Sequence, residues 1–194
     1  MVNIDYTGFV PEEDFVHVFV NKFTDETALE FQEKVDEAQT TGQPLVPVTI
    51  SSNGGLINAA VQMKKAIDRS SVPVLTYVPD RAYSCGFFLL AFGTKGYRFV
   101  SPESFTMAHQ ITSGALGKGN EIENKVEFKR RKFAAFYKML DEACGKEAGY
   151  FENLWQETSN LNQYYDAQQT LDIGAADQIS DPVLKSGVRW TLQR

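Results

Sequence analysis

An α/β architecture, with a largely parallel sheet covered by helices, is what this 194-residue sequence predicts. Three observations carry it. Segments rich in β-branched and aromatic residues alternate with segments whose apolar residues recur every three to four positions, the pattern of βαβ units with right-handed crossovers. One stretch, Phe87 to Phe92, is apolar nearly all round and so belongs inside the molecule. The length suits one domain with a substantial core, and no internal repeat or low-complexity linker divides it.

Residues 15–20, Phe-Val-His-Val-Phe-Val, form the first predicted strand. Thr24 then caps a helix in which Ala28, Phe31, Val35 and Ala38 share one face, and Gly42 ends it. Leu45 to Ile50 is the second strand. It runs into Ser51-Ser52-Asn53-Gly54-Gly55, a turn that uses glycine's tolerance of positive φ. Leu56, Ala60, Met63 and Ile67 mark the next helix, and Val72 to Val78 is a third strand closed by Pro79-Asp80. The apolar helix follows, from Ser84 to Gly93, and then two short strands at 97–100 and 105–108 separated by Ser101-Pro102.

A glycine-punctuated stretch, Ser113 to Gly119, leads into a helix of about 25 residues from Asn120 to Cys144. Ile122, Val126, Phe133, Phe136, Tyr137 and Leu140 form its apolar side. Shorter helices near 149–158 and 166–173, joined by a connector, precede a final strand near 176–180. The long helix exceeds what a crossover needs. Periodicity leaves two readings open, a plain surface helix or one that projects and meets a partner subunit.

The formal charge of -6 argues against a nucleic-acid or anionic-membrane binder, since both want a basic face. The one basic run, Lys129-Arg130-Arg131-Lys132, reads as a solvated face of a mixed-charge helix. No apolar run approaches the roughly 18 residues a membrane span requires, and the amino terminus shows no signal-peptide pattern. Cys85, Cys144, His17 and His109 lack metal-ligand spacing, so neither a metal nor another cofactor is expected. So few cysteines suit a reducing compartment, which gives a cytoplasmic location as the expectation.

Chemistry is expected around Ser84, which sits at a strand–turn–helix junction ahead of the apolar helix. A helix amino terminus offers unpaired N–H groups and the positive end of its dipole, suited to an oxyanion forming beside a serine. The plainer reading is a helix N-cap. Glycine N–H groups at 54–55 offer a second oxyanion donor, or simply a tight turn. His109, at the end of Phe105-Thr106-Met107-Ala108, is either a base or a satisfied core histidine. His17 is assigned to packing or surface display, and Cys85 is read as a small apolar filler.

Taken together, the order of these blocks is more specific than any one of them. Ser52-Asn53-Gly54-Gly55, then Ser84-Cys85-Gly86 opening Phe87-Phe88-Leu89-Leu90-Ala91, then Met107-Ala108-His109-Gln110, resembles the proteolytic subunit of the Clp protease (ClpP) family. That family shows a serine-proline-glycine-glycine turn, a serine-methionine-glycine opening an apolar helix, and methionine-isoleucine-histidine-glutamine. The resemblance runs from about Val16 to Ile179 and includes Tyr164-Tyr165-Asp166-Ala167 through Gly174-Ala175-Ala176-Asp177.

The resemblance implies a ClpP/crotonase-like fold of repeated ββα units with a protruding handle helix. It implies one peptidase domain over 1–194, with a head at about 14–110 and 160–182 and a handle at about 111–145. Carried over residue by residue, Ser84 matches the nucleophile, His109 the general base, and the backbone N–H groups of Gly55 and Cys85 the oxyanion donors. The implied activity is ATP-dependent serine endopeptidase action on short or unfolded polypeptides. The implied assembly is a heptameric homo-oligomeric ring, single or stacked in pairs, served by an AAA+ unfoldase.

This chain departs from the family at the third triad position, where an aspartate is usual and Asn162 stands here. An asparagine accepts a histidine N–H but does not stabilise the imidazolium by charge. Asp166 is the alternative carboxylate. Asn160 and Leu161 replace an acidic residue and an arginine that help link rings in the family, and few residues precede the first strand, where the family carries an axial loop for its ATPase partner. Asn53 and Ile111 each stand where the family has proline. These departures motivate a second reading, a catalytically weak ring subunit that assembles with an active relative. A crotonase-type acyl-CoA enzyme, of related fold, is the third.

Overall fold

Runs of β-branched residues set the centre of the molecule. β2 (Val46–Ile50) and β3 (Val74–Val78) are buried at four of their five positions each, as strands covered on both faces must be. The protein is described here from a computed structural model, for residues 14–111, 118–159 and 161–182. With β1 (Val18–Val20), β5 (Arg98–Val100) and β8 (Gln178–Ile179), these strands form one fully parallel sheet in the order β1-β2-β3-β5-β8.

The crossovers are helical, as the alternating periods predict. α1 (Asp25–Ala38) starts with a capping box at Thr24 and buries Ala28, Phe31, Val35 and Ala38, the face read from its spacing. α2 (Ile57–Arg69) packs on α1 and buries Ala59, Ala60, Met63, Ala66 and Ile67. Leu56, expected on that apolar face, instead precedes the helix and is 52% exposed. α3 (Cys85–Phe92) is buried at all eight positions. Hiding each of its large side chains stabilises the fold by about 1.5–3 kcal/mol, so this short helix anchors whatever is attached to its start.

Two short strands escape the sequence reading. β4 (Arg81–Tyr83) and β7 (Gln163–Tyr165) flank β6 (Phe105–Ala108) in a second, three-stranded sheet, parallel on one side and antiparallel on the other. The sequence predicts no strand at 81–83 or 163–165, because three-residue strands carry too little periodicity to announce themselves. The remaining helices are α4 (Gly119–Ala143), α5 (Tyr150–Glu157) and α6 (Ala167–Asp172). The architecture is therefore the mixed α/β one expected, with a parallel sheet and six helices among the described residues.

α4 behaves as two halves. Phe136, Tyr137, Leu140 and Asp141 are buried near its end, whereas Val126 and Phe128 are 52% and 61% exposed. Most of the predicted glycine-punctuated lead-in, 113–117, lies outside the described residues, as does Asn160. At the carboxyl end of the helix, Arg98 ties three elements together. Its guanidinium donates to the carbonyls of Ala91 and Ala143 and pairs with Asp177 at 2.5 Å. Among the described residues no helix is long and apolar enough to cross a membrane.

Candidate active site

The turn after β2 is pinned by Ser52. Its buried hydroxyl donates to the Asn21 carbonyl at 2.9 Å and accepts the Gly54 N–H at 3.0 Å. Gly54 and Gly55 follow at φ 101° and 154°. A Cβ at Gly54 would lie 2.7 Å from the Ser84 Cβ, and one at Gly55 would lie 2.4 Å from the Phe23 carbonyl oxygen. Both positions therefore need glycine for space as well as for φ. The turn is pressed directly against Ser84.

Ser84 links β4 to α3. Its N–H donates to the Met107 carbonyl at 2.7 Å, and its own carbonyl accepts from Phe88 at 3.2 Å. The backbone is held at φ 55°, ψ -116°, a conformation that costs a non-glycine residue about 1–3 kcal/mol. Ser84 occupies the N-cap position, yet its side chain makes no cap hydrogen bond. Its Oγ lies 2.8 Å from Nε2 of His109 instead. Ser84 is thus the N-cap by position only, its hydroxyl being turned to His109.

His109 follows the last residue of β6 and is half-buried. Together with Gly55, Ile57, Phe88 and Ile111, the pair lines a pocket of about 210 Å³. Among the described residues, the N–H groups of Gly55 and Cys85 donate to no backbone carbonyl. Cys85 is the first residue of α3, so its N–H has no partner within the helix. The turn and the helix start thus line the same pocket as Ser84. A larger pocket, of about 410 Å³, lies between β1 and α1 and contains neither Ser84 nor His109, so size alone points away from this chemistry.

Cys85 lies next to the serine but is not equipped as a nucleophile. It is buried, its thiol donates to the Gly55 carbonyl at 3.3 Å, and burial pushes its pKa up to about 11. His17 sits away from the site, with Nε2 2.9 Å from the Thr49 hydroxyl and its ring stacked on Phe19 at 4.3 Å. Among the described residues, no group of three His, Cys, Asp or Glu comes together to hold a metal ion.

Neither candidate for the third member makes a hydrogen bond to His109 among the described residues. Asn162 is exposed and makes no hydrogen bond among the described residues. It immediately precedes β7, whose Gln163 pairs with Ala108, the residue before His109. Asp166 caps α6, its Oδ1 accepting the Gln169 N–H at 2.8 Å. It stands four residues beyond Asn162, roughly 13 Å along an extended chain, and is not brought to His109.

Sequence reasoning missed Ser52 as the pin of the turn, the Met107 carbonyl that fixes the Ser84 backbone, and Tyr137. The Tyr137 hydroxyl accepts the Ile111 N–H at 3.0 Å, although its spacing had marked it only as part of an apolar stripe.

Comparison with known proteins adds an independent finding. The sequence profile described as Clp protease matches residues 18–183. ATP-dependent Clp protease proteolytic subunit 2 of Corynebacterium glutamicum is 28% identical over 134 residues, covering 69% of this chain and 65% of that protein. The chain thus spans 65% of the length of the curated relative it matches.

Proposed function

The chain belongs to the Clp protease family, and from that premise we propose that it is a serine endopeptidase subunit hydrolysing peptide bonds of short or unfolded polypeptides. The observation that carries this reading is the 2.8 Å contact between Ser84 Oγ and His109 Nε2, made from a strained backbone turn. Ser84 attacks the scissile carbonyl carbon while His109 Nε2 takes the hydroxyl proton. The tetrahedral oxyanion accepts hydrogen bonds from the N–H groups of Gly55 and Cys85, and loss of such a donor costs about 2.7–4 kcal/mol of barrier. Collapse expels the amine, which takes the proton from Nε2. A water activated by the same nitrogen then hydrolyses the acyl-enzyme.

In this reading Asn162 accepts the Nδ1–H of His109 and orients the ring without adding charge. The single domain divides into a head, about 14–110 and 160–182, and a handle, about 111–145, which the exposed first half of α4 supports. We assign to the same protein a heptameric ring, single or stacked, an AAA+ unfoldase as feeder, and a cytoplasmic setting in keeping with its two free, buried cysteines. Asn162 favours one second reading, a catalytically weak subunit within such a ring. An acyl-CoA enzyme has no use for the Ser84–His109 contact, so the geometry lends that reading no support.

A serine-directed fluorophosphonate tests the proposal. It should form an adduct on Ser84 of the wild type and none on Ser84→Ala, with native mass reporting the ring. Folded wild-type protein that stays unlabelled overturns the reading.

A further inference from the structure

The backbone beyond His109 has an anchor in a distant element. The ladder between β6 and β7 ends at Ala108. Three residues on, the Ile111 N–H donates to the Tyr137 hydroxyl of α4 at 3.0 Å. Ile111 itself lines the pocket beside Ser84 and His109. Tyr137 is buried, and its ring lies 4.8 Å from that of Trp155 and 6.3 Å from that of Phe136. A phenylalanine would make the same ring contacts, so the hydroxyl is the part of this side chain that packing does not explain. Buried tyrosine hydroxyls find polar partners, and here the partner is main chain of the segment carrying the base.

The same helix touches the opposite wall. Lys132 Nζ lies 2.5 Å from Asn58 Oδ1, in the first turn of α2, next to Ile57. Ile57 and Ile111 face one pocket, and α4 holds a residue beside each.

We propose that Tyr137 is a positioning residue for the Ser84–His109 site, its hydroxyl fixing the Ile111 backbone and through it the placement of His109 and one pocket wall. This rests on the peptidase reading given above. Burial pushes the Tyr137 pKa up, so the group remains a neutral hydroxyl across the working range. The leverage is geometric: a displacement of about 1 Å at a catalytic group lowers turnover by as much as about 10²-fold. Freeing Ile111 loosens the segment without touching Ser84.

The test is Tyr137→Phe in the full chain, labelled with a small fluorophosphonate and assayed with a short peptide substrate. Ser84 labelling and kcat should fall about tenfold, while KM changes little because the apolar walls remain. A shifted melting temperature with unchanged labelling and kcat would show a packing role only and overturns the inference. Wild-type protein that fails to label defeats the peptidase reading itself, and the inference with it. Hydrogen exchange on the wild type gives a readout that no variant can spoil. The Ile111 amide should be protected, and exchange at the rate of a free loop also overturns the inference.

Discussion

Ala108, the residue before His109, pairs with Gln163, the residue after Asn162, in the antiparallel ladder of β6 and β7. The paired positions are Thr106 with Tyr165, Met107 with Tyr164 and Ala108 with Gln163, and the ladder ends there, one residue short of His109 on one strand and of Asn162 on the other. In the peptidase reading proposed above, Asn162 orients the imidazole, and it brings an amide where a carboxylate would bring charge.

Replacing Asn162 by aspartate is expected to raise kcat. The charge would stabilise the imidazolium that forms as Ser84 attacks; in other serine proteases the reverse change costs about 10⁴ in turnover. A gain of at least about tenfold in peptide hydrolysis would place the missing charge at this position, while no gain would mean that the base is oriented from elsewhere.

Ser84→Gly should separate stability from activity. Glycine adopts positive φ readily, so relieving the strained backbone at φ 55° should stabilise the fold by about 1 kcal/mol. Labelling and hydrolysis should disappear in the same protein. Urea unfolding alongside the peptidase assay checks both, and a glycine variant less stable than wild type would contradict the strain argument.

The Cys85 thiol should be inert in the native state. Its pKa near 11 leaves almost no thiolate at pH 8, and the sulfur is buried. Iodoacetamide should modify it only after unfolding, and Cys85→Ala should still be labelled at Ser84. Loss of labelling in that variant would move the nucleophile from the serine to the thiol.

Acid should weaken the fold through Asp177. Burial raises its pKa, but the hydrogen bonds and charge of Arg98 outweigh that, and the carboxyl is held below its ordinary value. A depressed folded-state pKa contributes stability that is complete above the unfolded value, near 3.9, and is lost as pH falls through the folded one. Unfolding free energy should therefore drop below about pH 4, and Asp177→Asn should flatten that drop. At pH 7 Asp177→Ala should cost about 3 kcal/mol, because Arg98, only 3% exposed, would be left without its partner.

Several features could be read directly along the chain because their causes are local. The buried face of α1 follows from spacing, the full burial of α3 from its composition, and the need for glycine at 54 and 55 from the turn they close. The serine, histidine and glycine blocks, in their order, singled out the Ser84 and His109 that the fold brings to 2.8 Å. Leu56 shows the limit of spacing, since one residue beyond a helix end the period no longer decides burial.

The relationships that make the site were invisible in that reading because they join positions far apart. Ser84 and His109 are 25 residues apart, Ile111 and Tyr137 are 26 apart, and the ladder that ends next to His109 and Asn162 joins strands more than fifty residues apart. β4 and β7, three residues each, exist through their pairing with β6, not through any period of their own. The sequence by itself determined which chemical groups are available and which segments must be buried. Only the tertiary structure decided that Ser84 is bent out of its N-cap role toward His109, since that depends on Gly54, Met107 and β6 closing around it together.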